Sequence, residues 1–253
     1  EYNAKDFVRT LDAIAGWEHA TSHYVCASTH EQHPDALRRL DGMHVGAHGY
    51  WHHTYLNRVD NERNIQRGID VLHSAGLSCS GFVAPHGRYN PGLAAALHAL
   101  QIDHSSEFGL AYDDLPFFPS GSNVLQIPIH PLCLGVVMEA AFAAAAQLPK
   151  LDPEVRCKLF RRATAATIEH FVQVTRTKYD ACDPVFPYGH RDGRVGRYPE
   201  LLQETLGAIA GFGSIWKTTL AEFAAWWRQR AAIRLQVHRH GDSLIISGQT
   251  PAP

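Results

Sequence analysis

Short runs of strand length alternate with helical stripes along almost the whole chain, and that alternation restricts the fold more than any other feature. HYVCAS, MHVGAH, CSGFVAP, IDHSSE and NVLQIPI read as successive strands. Between them lie apolar residues at helical spacing: Phe7, Leu11 and Ile14 behind a cap at Asn3, then a short helix over 35–40 closed by Gly42. Ile65, Ile69 and Leu72 follow Asn61 as expected cap and stop at Gly76, and Leu93, Leu97 and Leu100 are opened by Asn90-Pro91. A long helical region covers about 136–178, broken near residue 150 by LPKLDP, and FPYGH, a helix at about 197–210, SIWK and a helix at about 218–230 finish the series.

Repeated βα units bury both faces of a mainly parallel sheet. The expected fold is α/β, a distorted (β/α) barrel of about seven parallel strands over residues 1–231. Residues 232–253 (IRLQVHRHGDSLIISGQ and its flanks) alternate around His-Gly-Asp as a β-hairpin tail, which either caps the barrel or begins another domain.

Net charge −2 and a pI near 6.8 argue against a nucleic-acid or membrane-surface role. No apolar run reaches the ~18–20 residues of a membrane span. The five cysteines, Cys26, Cys79, Cys133, Cys157 and Cys182, form no C-x-x-C pair and no disulfide-style spacing, which favours free thiols and a reducing, cytoplasmic setting. None reads as standing at a strand end beside a histidine, and with no G-x-S-x-G present a nucleophile-based hydrolase is disfavoured.

The segment HVGAHGYWHHTYLN carries the densest chemistry. With 17 histidines in the chain, roughly one H-x-x-x-H is expected by chance, so spacing alone decides little. His19/His23 enters an ordinary strand pattern and reads as structural. Only His48 and His52 stand in a glycine-flanked turn at a strand end, where two imidazoles can grip one divalent ion. Barrel chemistry gathers at the carboxyl ends of strands, where His48, His86, Glu107, His130 and His190 all fall.

With these blocks in order, the chain resembles the polysaccharide deacetylases of the NodB-homology, carbohydrate esterase 4 type. VGAHGYWHH matches their metal-binding block, GFVAPHGRYN (Gly81–Asn90) the next, and FPYGHRDGRVGRYPELL with IWKTTLAEFAAWW the late ones. The lipopolysaccharide-sugar branch is the nearer in pattern. The resemblance implies a metal-dependent hydrolase of C–N bonds other than peptide bonds, with an acetylated amino sugar of a surface polysaccharide or lipopolysaccharide precursor as substrate. It implies His48 and His52 as ligands of a divalent ion, zinc by preference, and His190 as the general acid on the departing amine. His86, Arg88, His130 and Glu107 would contact substrate, and Tyr50, Trp51, Tyr89 and Phe117 could offer faces to sugar rings.

Two positions depart from the family pattern. The aspartate block that supplies a third ligand and a base is not found; its strand would precede the helix at Asn3 and lie upstream of Glu1, while Asp113-Asp114 stands elsewhere. Val83 occupies the place of an arginine and has neither charge nor donors. The alternative implied is a NodB-like carbohydrate-binding module without catalysis; another metal-dependent acyl or phosphate hydrolase also stays open. Oligomeric state is not legible.

Overall fold

The computed structural model describes residues 3–107, 115–136, 138–140, 152–191 and 194–249. The Asn3 side chain accepts from the Lys5 and Asp6 amides and starts α1 (Ala4–Ala13), satisfying donors that a helix N-terminus leaves open. There follow β1 (Ser22–Val25), α2 (Ser28–Gln32), α3 (Pro34–Arg38), β2 (His44–Ala47), α4 (Arg58–Ser74), β3 (Cys79–Val83), α5 (Pro91–Ala99), β4 (His104–Ser106) and β5 (Leu125–Gln126). The five strands make one sheet whose spatial order is their order in the chain, every pair parallel. The βα alternation is therefore the architecture.

One face of the sheet packs under the helices. Val25, Val45, Phe7, Leu37, Leu40 and Leu72 form one cluster, and Phe82, Ala84, Ile65, Leu93 and Leu97 form the next. Tyr24 in β1 reaches His104 in β4, its hydroxyl 2.9 Å from Nε2, while Asp103 holds the other ring nitrogen at 2.9 Å. His104 at the centre of this polar chain is buried, and pairing at both nitrogens offsets the cost of enclosing its imidazole.

The later part contains α6 (Pro153–Asp180), α7 (Arg194–Arg197), α8 (Pro199–Ala210), α9 (Leu220–Ala232), β6 (Arg234–His240) and β7 (Ser243–Gln249). Phe223, Ala224 and Trp227 of α9 pack on Leu125 and Ile127, and the Leu220 amide donates to Ser22 Oγ at 2.9 Å. Asp152 caps α6, with Pro153 in its first turn; most of the expected helix before it lies outside the described residues.

Three local expectations are corrected. Asn57, not Asn61, caps α4, because the Asn61 amide is spent on the Tyr55 backbone. FPYGH pairs without forming a regular strand: the His130 amide donates to the Phe186 carbonyl at 3.0 Å and Leu134 to Tyr188 at 2.8 Å, with a single parallel bridge between Leu134 and Gly189. Pro187 has no amide to add to that ladder. SIWK forms no strand, and Trp216 instead lies against Phe223 and Trp226.

The tail is an antiparallel hairpin of β6 and β7, paired from Arg234↔Gln249 to His240↔Ser243, and exposed along both strands. Among the described residues no helix is long and apolar enough to cross a membrane.

Candidate active site

The loop after β2 is built by two asparagines one turn apart on α4. Asn64 accepts from the Trp51 amide at 2.8 Å and donates to the Trp51 and His53 carbonyls, both at 3.1 Å, while its own carbonyl takes the Tyr50 amide at 2.9 Å. Asn61 holds Tyr55 in the same two-way manner. The loop can lie this close only because glycines face each other: a Cβ on Gly68 would stand 2.8 Å from the Gly49 backbone, and Gly49 itself has φ +80°. A short polar loop is thus pinned to a rigid helix, and it carries His52.

His48 follows β2, and its Nδ1 lies 2.7 Å from the Val83 carbonyl at the end of β3. A carbonyl only accepts, so the proton sits on Nδ1 and Nε2 is the lone-pair nitrogen. Burial drives the imidazole down to about 4, against the Val83 carbonyl, with His52, His190 and Arg191 lowering it further. At neutral pH it is an uncharged donor, the form a metal needs. The His52 ring lies 4.8 Å from that of His48, and the His86 ring 4.5 Å from His52. Burial and His86 lower His52 as well. His86 is held in the left-handed region at φ 59°, a conformation rare enough outside glycine to mark a special position.

His190 arrives from the other side. The pairing of 130–134 with 186–189 sets it beside Cys133, Sγ to Nδ1 3.2 Å, and close enough to act on His48. A cysteine thus does stand beside a histidine, although neither residue ends a regular strand. Cys133 is only 3% exposed and its sulfur also lies 3.1 Å from the Leu134 carbonyl, so it is placed to hold a ring rather than to attack a substrate.

The remaining candidates divide. Glu107 is buried at the end of β4, and burial raises its carboxyl to about 7, opposed by the Ser105 hydroxyl (2.7 Å), the Ala84 amide and Gln126. Ala84 N–H belongs to the same peptide whose Val83 carbonyl serves His48, so one peptide group faces both. His130 is buried against His170 and Phe171, with Nδ1 3.0 Å from the Leu132 backbone, under α6. Arg88 is exposed beyond the His86 turn. Trp51, Tyr89 and Phe117 are exposed as a sugar platform requires, but Tyr50 is not: it is 2% exposed, bonded to Glu31 and covered by Arg67. Asp113 and Asp114 lie outside the described residues.

A divalent ion fits the donor chemistry of His48 and His52, whose rings converge and whose first member is fixed in the ligating tautomer. Among the described residues, however, no three His, Cys, Asp or Glu side chains are arranged to hold a metal ion. Sequence reasoning missed Arg191 and the two asparagines. Arg191 follows His190 and its charge reaches both His48 and His23, whose imidazole burial has already pushed to about 3.

No protein-family model and no curated protein matches the sequence. Solved structures do. A protein assigned as a polysaccharide deacetylase from Mycobacterium smegmatis matches with TM-score 0.70 at 16% identity, covering 90% of this chain and 78% of that one. The PuuE allantoinase matches with TM-score 0.60 at 17% identity, covering 88% and 72%. A carbohydrate esterase 4 family pseudoenzyme from Bacillus anthracis matches with TM-score 0.51 at 11% identity, covering 87% and 60%. At such identities what is shared is the fold: this chain is folded as polysaccharide deacetylases are.

Proposed function

We propose that the protein is a metal-dependent N-deacetylase of an acetylated amino sugar in a surface polysaccharide or lipopolysaccharide precursor, acting on C–N bonds other than peptide bonds. The observation that carries the reading is the convergence at one rim of His48, His52 and His86, with His190 close enough to depress the His48 pKa. The fold shared with a protein assigned as a polysaccharide deacetylase supports the reaction class. In it, His48 and His52 hold the ion, zinc by preference. The ion supplies Lewis-acid polarisation of the acetamide carbonyl. The chain's own groups do the rest: Val83 fixes the His48 tautomer, exposed Trp51 and Tyr89 offer apolar faces to pyranose rings, and His190 gives a proton to the departing nitrogen.

A second reading is a carbohydrate-binding module that keeps the groove without turnover. Val83 in place of an arginine favours it, as does the incomplete ligand set among the described residues. The likeness to a pseudoenzyme of this fold supports it too. One experiment separates the two. Bound zinc per chain and acetate release from N-acetylglucosamine oligosaccharides are measured in the wild type and His48→Ala. One equivalent of zinc, with acetate release lost in the variant and after chelation, supports the enzyme. Oligosaccharide binding by calorimetry without acetate release, unchanged by chelation, supports the module.

A further inference from the structure

A sulfur lies beside the His190 ring. Cys133 Sγ stands 3.2 Å from His190 Nδ1, inside the reach of a sulfur hydrogen bond, and 3.1 Å from the Leu134 carbonyl. The thiol is buried, whereas the imidazole it touches is exposed, so the sulfur belongs to the wall and the ring to the rim. The contact is built by tertiary structure: the Leu134 amide bonds the Tyr188 carbonyl at 2.8 Å, and Leu134 bridges Gly189, which brings neighbouring residues of the two segments together.

We propose that Cys133 is a positioning residue for His190: its sulfur engages Nδ1 and thereby turns Nε2, the opposite ring nitrogen, away from the wall. The Leu134 carbonyl can only accept, so the thiol proton has a place there while the sulfur accepts from Nδ1–H of the charged imidazole. The charged ring thus presents Nε2–H to the departing amine, and once that proton is given up the neutral ring keeps its remaining proton on Nδ1, still bonded to the sulfur. A carboxylate in this place would add a full negative charge and hold the imidazolium more tightly. A neutral thiol orients the ring without that charge. A histidine whose second nitrogen is tied in this way keeps one tautomer and one orientation, as ligating and catalytic histidines generally do.

The inference rests on the deacetylase reading for what His190 does with its proton; the orientation itself is tested without any substrate. Long-range 1H–15N spectra of the folded chain report the tautomer and ring exchange of His190, assigned by its absence in His190→Gln. Cys133→Ser retains a donor and acceptor at the same place, and Cys133→Ala removes both. At a pH where the ring is neutral, the wild type and Cys133→Ser are expected to show His190 predominantly protonated at Nδ1, and Cys133→Ala a mixture of the two tautomers. With an N-acetylated oligosaccharide, kcat in Cys133→Ala should fall about 10- to 100-fold with KM little changed, and Cys133→Ser should recover most of it. Unchanged His190 resonances in Cys133→Ala overturn the proposal. Should the wild type release no acetate, the deacetylase reading fails, while the spectra still decide whether Cys133 holds the ring.

Discussion

His48 after β2 and Glu107 after β4 meet opposite ends of one peptide group of the intervening β3, and their ionisation is set by burial more than by partners. His48 is pushed down to about 4 and Glu107 up to about 7, each towards its uncharged form. Glu107 gives a pH dependence with a definite sign. Its folded pKa exceeds the ordinary value of 4.5, so the folded state binds the proton more tightly and stability falls as pH rises from about 4.5 to about 7. Glu107→Gln removes that ionisation. The variant is expected to be more stable than the wild type above pH 7, by up to ~3 kcal/mol at roughly 1.4 kcal/mol per pKa unit, with the advantage gone near pH 4. Urea denaturation at pH 4 and pH 8 checks it, and a difference of equal size at both would show that ionisation is not the cause.

At the scale of elements, the loop that carries His52 depends on α4. Asn64 is 6% exposed and makes four backbone contacts to that loop through its side chain and carbonyl. Asn64→Ala leaves the Trp51 amide and two carbonyls without their side-chain partner, at a cost of about 1–3 kcal/mol. The expected outcome is a lower thermal midpoint together with weaker zinc retention; loss of stability with metal affinity intact would mean that the loop keeps its shape unaided. The sequence made the motif legible but not its support. The H-x-x-x-H spacing is local, whereas Asn64 lies more than ten positions downstream and reads as an ordinary polar residue on a helix. The same limit explains the misplaced α4 cap, since Asn57 and Asn61 are equally good caps by residue type and only the Tyr55 backbone decides between them. Cys133 was illegible for a related reason. Its partner is 57 positions away, and no spacing rule spans that distance.

For the molecule as a whole, periodicity was a sound guide to the βα alternation because each unit must bury one helical stripe on the next strand pair. It failed at SIWK, where side-chain packing replaces a ladder, and at FPYGH, where backbone pairing is too broken to make a regular strand. The order of the sheet has a kinetic side as well. β1 to β5 pair only with their neighbours in the chain, so each pairing closes a short loop and can form as the previous one finishes. The approach of 130–134 to 186–189 must instead enclose the whole of α6. The rim is thus assembled in two instalments, with His48, His52 and His86 in place before His190 arrives. Pulse-labelled amide exchange during refolding should protect Ala47 and Val83 ahead of Leu134, and simultaneous protection would refute that sequence. A chain halted between the instalments would hold its imidazole donors in place while still lacking its acid.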